Sequence, residues 1–257
     1  LPKDHYGQLD NRLCPYVQTV PYILKTVFDE RGEGIEFVAP VVGFHRGKGH
    51  LLRQLLAFSR TFGANRREVV KALDAAVSAQ KKFRTSMQKR YARALRKTPA
   101  HIRRVVLVGR PYNTCDRGLN LDLPKKLIEL GVLPLPMDAV LEGARLSEDW
   151  DNMYWKYGQR IMAAAERIAE ESDFDAIYIT NFGCGPDSFL TGFFQRTLGK
   201  KPALLLEIDE HSADAGVITR LEAYLDSLAN LEKKTYSRRR NSSTPSLSAR
   251  RRRSSSQ

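Results

Sequence analysis

Downstream of residue 102, apolar residues fall into short unbroken runs separated by stretches with helical spacing. The runs at 105–108, 132–135, 176–180 and 203–208 are rich in Val, Ile and Leu, and each reads as a buried strand. Stretches near 121–130, 152–171, 188–197 and 213–228 read as helices. The clearest is 152–171, where Met153, Tyr157, Ile161, Ala165 and Ile168 form one stripe. Strand and helix alternating four times imply a parallel sheet covered on both faces, with right-handed crossovers.

Upstream the period is helical. Leu51, Leu52, Leu55, Leu56 and Phe58 share one face, and after Gly63 a long helix carries Val69, Leu73, Ala76, Val77, Phe83, Met87, Tyr91 and Leu95. Its opposite face holds Arg66, Arg67, Lys71, Lys81, Lys82, Lys89, Arg90 and Arg93, a pattern that reads as a solvated face. Residues 35–42 read as a further strand interrupted by Pro40, and 17–28 as a short helix or two turns broken at Pro21. The expected architecture is α/β, with Rossmann-like parallel-sheet domains joined by a helical connector and the N-terminal half truncated. It divides into the end of a first α/β half (1–47), the connector (48–101), a second α/β half (102–231) and a disordered basic tail (232–257).

Composition changes this picture in one place. Of the net charge of +13, residues 233–257 carry +9 from two Lys and seven Arg with no acid, so the remainder carries +4. That Arg/Ser tail has too few apolar residues to offset its ordering entropy, and it is expected to bind polyanions without specificity. No apolar run approaches the roughly 20 residues that span a bilayer. With no secretory signal ahead of the first motif, the expected compartment is the cytoplasm. Three cysteines in that setting are buried thiols, reactive thiols or metal ligands rather than a disulfide framework. Gly43-Phe-His-Arg-Gly-Lys-Gly49 matches a phosphate loop in composition only, since the spacing and the final Lys-Ser/Thr are missing.

The candidate chemistry gathers at strand ends. In Asn181-Phe-Gly-Cys-Gly-Pro-Asp-Ser-Phe189 a cysteine lies between two glycines after a strand and before a helix expected to start near Asp187 or Ser188. Open α/β sheets bind ligands at such strand ends. Gly183 and Gly185 let the backbone approach what Cys184 touches, and the helix N-terminus is expected to favour its thiolate. Gly109-Arg-Pro-Tyr-Asn-Thr-Cys-Asp116 leaves the first of these strands at the same rim. There Arg110 either binds a carboxylate or phosphate or pairs with a local acid, while Tyr112 and Asn113 can orient a ligand. Asn181 and Ser188 complete the candidate ligand-binding set. His211 lies at a third strand end. A zinc site is the weaker metal reading, because no cysteine pair has zinc spacing.

Cys14-Pro-Tyr-Val, Gly109-Arg-Pro-Tyr-Asn, the Asn181–Phe189 stretch and the segment 210–225 occur in that order. Together they resemble the iron–sulfur component of the 2-hydroxyacyl-CoA dehydratases, in the version joined to large CoA-substrate-specific enzyme activases and close to double-cubane cluster proteins. The resemblance covers residues 1–230 and implies two Rossmann-like halves with an iron–sulfur cluster, of 4Fe-4S type or larger, in the cleft between them. It places Cys14 and Cys184 at ligand positions, with a further cysteine ligand upstream of Cys14, so the chain reads as a fragment. Cys115 is a substitute ligand or a loop cysteine. The implied role is a dimeric redox protein that takes low-potential electrons from an ATP-hydrolysing activator for radical dehydration or reduction of an acyl-CoA. The rival readings are a cluster-free α/β module binding acyl-CoA or a partner, and a nucleic-acid binder acting through its tail.

Overall fold

The computed structural model describes residues 14–32, 34, 35, 37, 47–141, 147–150, 153, 155–209 and 211–242. The expected strand at 35–42 and the glycine-rich 43–49 segment lie largely outside the described residues. The chain divides into two units, Leu1–Asp209 and Glu210–Gln257.

In the first unit α1 (Pro15–Glu30), α2 (Gly47–Ser59) and α3 (Arg66–Lys97) precede the sheet. α1 is the helix of the two alternatives, longer than expected and unbroken at Pro21. Pro21 removes one backbone donor, and the exposure of most of the helix lets water satisfy the carbonyl left behind. α3 begins at a capping box: Asn65 Oδ1 accepts from the Arg67 and Glu68 amides, and Glu68 accepts from the Asn65 amide at 2.8 Å.

The α/β portion follows as β1 (Arg104–Gly109), α4 (Pro111–Cys115), α5 (Leu123–Glu129), β2 (Leu133–Pro136), α6 (Lys156–Glu170), β3 (Phe174–Asn181), α7 (Gly185–Leu198) and β4 (Ala203–Ile208). All four expected strands form, every pair is parallel, and their spatial order is β2-β1-β3-β4. This is a Rossmann-like α/β sheet. Val106, Val108, Ala176 and Tyr178 face α6 and α7 across a core containing Ile161, Met162, Leu190 and Phe194. The alternate residues Val105, Leu107, Ile177 and Ile179 are equally buried, so both faces are covered. Lys201 ties the layers together by donating to the carbonyls of Ile168, Glu171 and Phe174.

β2 is an outer strand with Pro134 and Pro136 two residues apart. The Leu133 amide donates to Arg103 O at 2.9 Å, toward β1. Backbone donors alternate in direction along a strand, so both proline nitrogens lie on the side away from β1.

The second unit holds α8 (Asp214–Ser242). It continues well past the expected end near 228, into the stretch expected to be unstructured. Leu231, Glu232, Lys233 and Lys234 are good helix formers, and extending an existing helix costs far less than nucleating one.

Candidate functional site

β1 connects outward to β2, and β3 connects the other way to β4. The order therefore reverses between β1 and β3, and the crevice beyond their carboxyl ends is where such sheets take ligands. Both loops singled out from sequence leave the sheet there. At the end of β1, Gly109 has φ +152, and a Cβ on it would lie 2.5 Å from Ile179 O of β3. Only glycine lets the two strands stay in register here. At the end of β3, Gly183 turns the chain with φ +70, and the Cys184 amide donates to Asn181 O at 3.1 Å.

α7 starts at Gly185, earlier than expected, and Cys184 is its N-cap residue. The anticipated capping residues do other work. Ser188 turns its hydroxyl back to Cys184 O at 2.9 Å. Asp187 is fully buried, and it receives the Arg110 Nε at 3.1 Å and the Thr180 hydroxyl at 3.0 Å. Arg110 Nη2 lies 2.9 Å from the same carboxylate, off the line a hydrogen bond needs, and Arg110 itself is only 4% exposed. Of the two readings of Arg110, pairing with a local acid is the one observed, and that acid lies three residues from Cys184. Burial pulls the guanidinium pKa down, but Asp187 more than reverses it, so Arg110 stays charged.

This ion pair sets the environment of the cysteine. Burial pushes the Cys184 thiol up; the Asp187 amide and the Arg110 guanidinium pull it back, and the Asp187 carboxylate opposes them. The net direction is up, with burial the largest cause, where the helix end was expected to favour the thiolate. Tyr178, buried beside Asp187, is pushed up for the same leading reason.

Tyr112 reports what surrounds it. Its phenol is raised to about 12 by burial first, against the pull of Arg110, with Cys184, Asp187 and Cys14 each adding to the rise. Cys14 and Cys184 thus act on one hydroxyl from segments far apart in sequence. Each is a half-buried free thiol at a helix N-cap, followed within two residues by a proline. A spectrophotometric titration should show one tyrosine, missing in Tyr112→Phe, ionising near pH 12 rather than the ordinary 10.0. The sign follows: the neutral phenol's contribution to stability is whole below pH 10 and is lost as pH rises toward 12. A phenol ionising at its ordinary pH would show that Tyr112 is not surrounded as described.

The remaining candidates separate. Asn113 is fully buried and donates to Ile179 O at 3.4 Å, bracketing the β1 loop to β3. Its Oδ1 has no hydrogen-bond partner among the described residues. Asn181 and Gly183 form the turn itself, and Gly185 opens α7. Cys115 is exposed, with its sulfur 3.5 Å from the Thr114 hydroxyl. It acts on Tyr91 of α3, whose hydroxyl is raised by burial, then Asp138, then Cys115. Asp187 and Thr180 were missed from sequence. The available signal was an acid one helical turn beyond Cys184, opposite an arginine on the neighbouring strand end. Among the described residues, no group of three or more His, Cys, Asp or Glu side chains gathers to hold a metal ion. None of their helices is long and apolar enough to cross a membrane.

The fold and site define a parallel α/β protein with a thiol-bearing loop at its switch point. Residues 1–140 match the family model described as the CoA enzyme activase uncharacterised domain, and the chain belongs to that family. The match takes in Cys14 and the Arg110–Cys115 loop and ends before Cys184. No curated protein and no solved structure matches.

Proposed function

We propose that this chain is an iron–sulfur redox component of the kind found with CoA enzyme activases and 2-hydroxyacyl-CoA dehydratases, receiving low-potential electrons from an ATP-hydrolysing activator. The observation that carries the proposal is a half-buried free cysteine, Cys184, on the strand-to-helix turn at the sheet's switch point and three residues from the buried Arg110–Asp187 pair. Two soft sulfur donors, neither in a disulfide, suit such a cluster as part of its ligand set. A bound cluster would supply reversible one-electron storage at low potential. Arg110 would place a fixed positive charge beside the Cys184 sulfur. The remaining ligands would come from outside the described residues or from the second chain of a dimer.

The test is anaerobic reconstitution with iron and sulfide, followed by iron and sulfide analysis and electron paramagnetic resonance. Wild type should bind both elements, Cys14→Ser and Cys184→Ser should each lose most of the bound iron, and Cys115→Ser should keep it. The lack of a third ligand among the described residues favours the rival reading, a cluster-free module binding acyl-CoA or a partner. If reconstituted wild type holds no iron or sulfide, that rival takes its place, and calorimetry with an acyl-CoA is the next measurement.

A further inference from the structure

α3 carries eleven Lys and Arg against two acids, Glu68 and Asp74. Both acids are engaged, Glu68 in the capping box and Asp74 with Lys48 of α2 at 2.7 Å. All eleven cations are exposed, and none makes an ion pair among the described residues. Totals over the chain conceal this concentration. With +9 in residues 233–257 and +9 in α3, the rest of the chain is left at −5.

At about 100° per residue most of these cations fall on one half of the helix. Lys81, Lys82, Lys89, Arg93 and Arg96 lie there, and the positions among them are small: Ala75, Ser78, Ala79, Thr85 and Ser86. The opposite half carries Val69 and Leu73, which are buried, Val77, Met87, Tyr91 and Leu95, which are half-buried, and Phe83, which is exposed. At 1.5 Å per residue, α3 is a straight charged edge about 48 Å long.

We propose that the basic face of α3 is a docking surface for the phosphate backbone of duplex nucleic acid. Protein interfaces are depleted of charge at their centres and anchored by large apolar or aromatic side chains, and this face has cations and no anchor. A membrane-surface helix would need large apolar residues beside its cations to enter the lipid, and here they lie on the opposite half. A regular lattice of phosphates asks only for unpaired cations along a line, and it is bound without reading bases. This surface is separate from the cysteine site, so the two proposals fail independently.

The experiment compares full-length proteins with equal changes in net charge, using a fluorescein-labelled 30-base-pair DNA duplex. One variant combines Lys81→Gln, Lys82→Gln, Lys89→Gln and Arg93→Gln. The other changes Arg250, Arg251, Arg252 and Arg253 to Gln. Anisotropy is read from 0.05 to 0.3 M salt. Each counterion released contributes roughly eightfold at 0.1 M salt, so losing three or four contacts should weaken binding by about 100-fold or more and flatten the salt slope by about 3. The tail variant, which removes the same charge, should lose less than the α3 variant. Unchanged thermal unfolding will show that the α3 variant folds, since its altered residues are exposed and make no ion pair among the described residues. The proposal is overturned if the tail variant loses as much as the α3 variant, or if wild type binds no tighter than ~10⁻⁴ M at 0.1 M salt. It is also overturned if polyglutamate displaces the duplex at equal charge concentration, which would assign the face to an acidic protein.

Discussion

Asp187→Ala is expected to cost about 3–5 kcal/mol of folding stability, a large share of what a domain of this size has. The carboxylate is fully buried and is the counter-charge for Arg110, itself 4% exposed. Removing it leaves a guanidinium in a desolvated site, and it also strips the Thr180 hydroxyl of its acceptor. The loss reflects an orphaned charge, not the net worth of the pair. The combination Arg110→Met with Asp187→Leu should therefore recover most of the stability, since removing both charges removes the desolvation cost too. Urea denaturation of the three proteins checks this. A loss under 1 kcal/mol for Asp187→Ala would mean that water reaches the pair and that it does not set the environment of Cys184.

Gly109→Val should lower stability by a comparable amount. Its Cβ would have to occupy space 2.5 Å from Ile179 O, a backbone atom pinned by the β1–β3 ladder, and its φ of +152 is one that side-chain-bearing residues rarely adopt. Strain and overpacking each cost about 1–3 kcal/mol, so the sum is about 2–6. Gly183→Ala is the matched control: its φ of +70 is also positive, but nothing lies within 4 Å of the new Cβ. It should cost only about 1–2 kcal/mol. Thermal unfolding separates the two. Equal losses would show that the close approach of the strands is unimportant.

The sheet was legible because its strands are short apolar runs buried on both faces, so hydrophobicity alone marks Val105–Val108 and Ala176–Thr180. The rim was legible because glycine beside cysteine at a strand end has few other readings. The interior of the site was not. Asp187 in the first turn of a helix has the ordinary signature of a cap, and nothing local says that an arginine 77 residues upstream will claim it. The state of Cys184 was misjudged for a related reason. Helix position can be read from sequence, whereas burial, the larger influence here, depends on what packs over the thiol. α3 shows the same limit for charge. Its cations were visible, but that none pairs with an acid among the described residues depends on which acids lie near it.

The two prolines of β2 bear on how this protein behaves when concentrated. A sheet grows from its margin only where free amides and carbonyls alternate, and β2 presents Pro134 and Pro136 outward in place of two of those amides. Another strand that met this margin would find carbonyls to donate to but no amides to receive from at those positions. Fibre-like stacking of copies through β2 is thus disfavoured before any charge is considered. Among the described strands β4 is the other outer one, and a single added lysine facing outward there would guard it as the prolines guard β2.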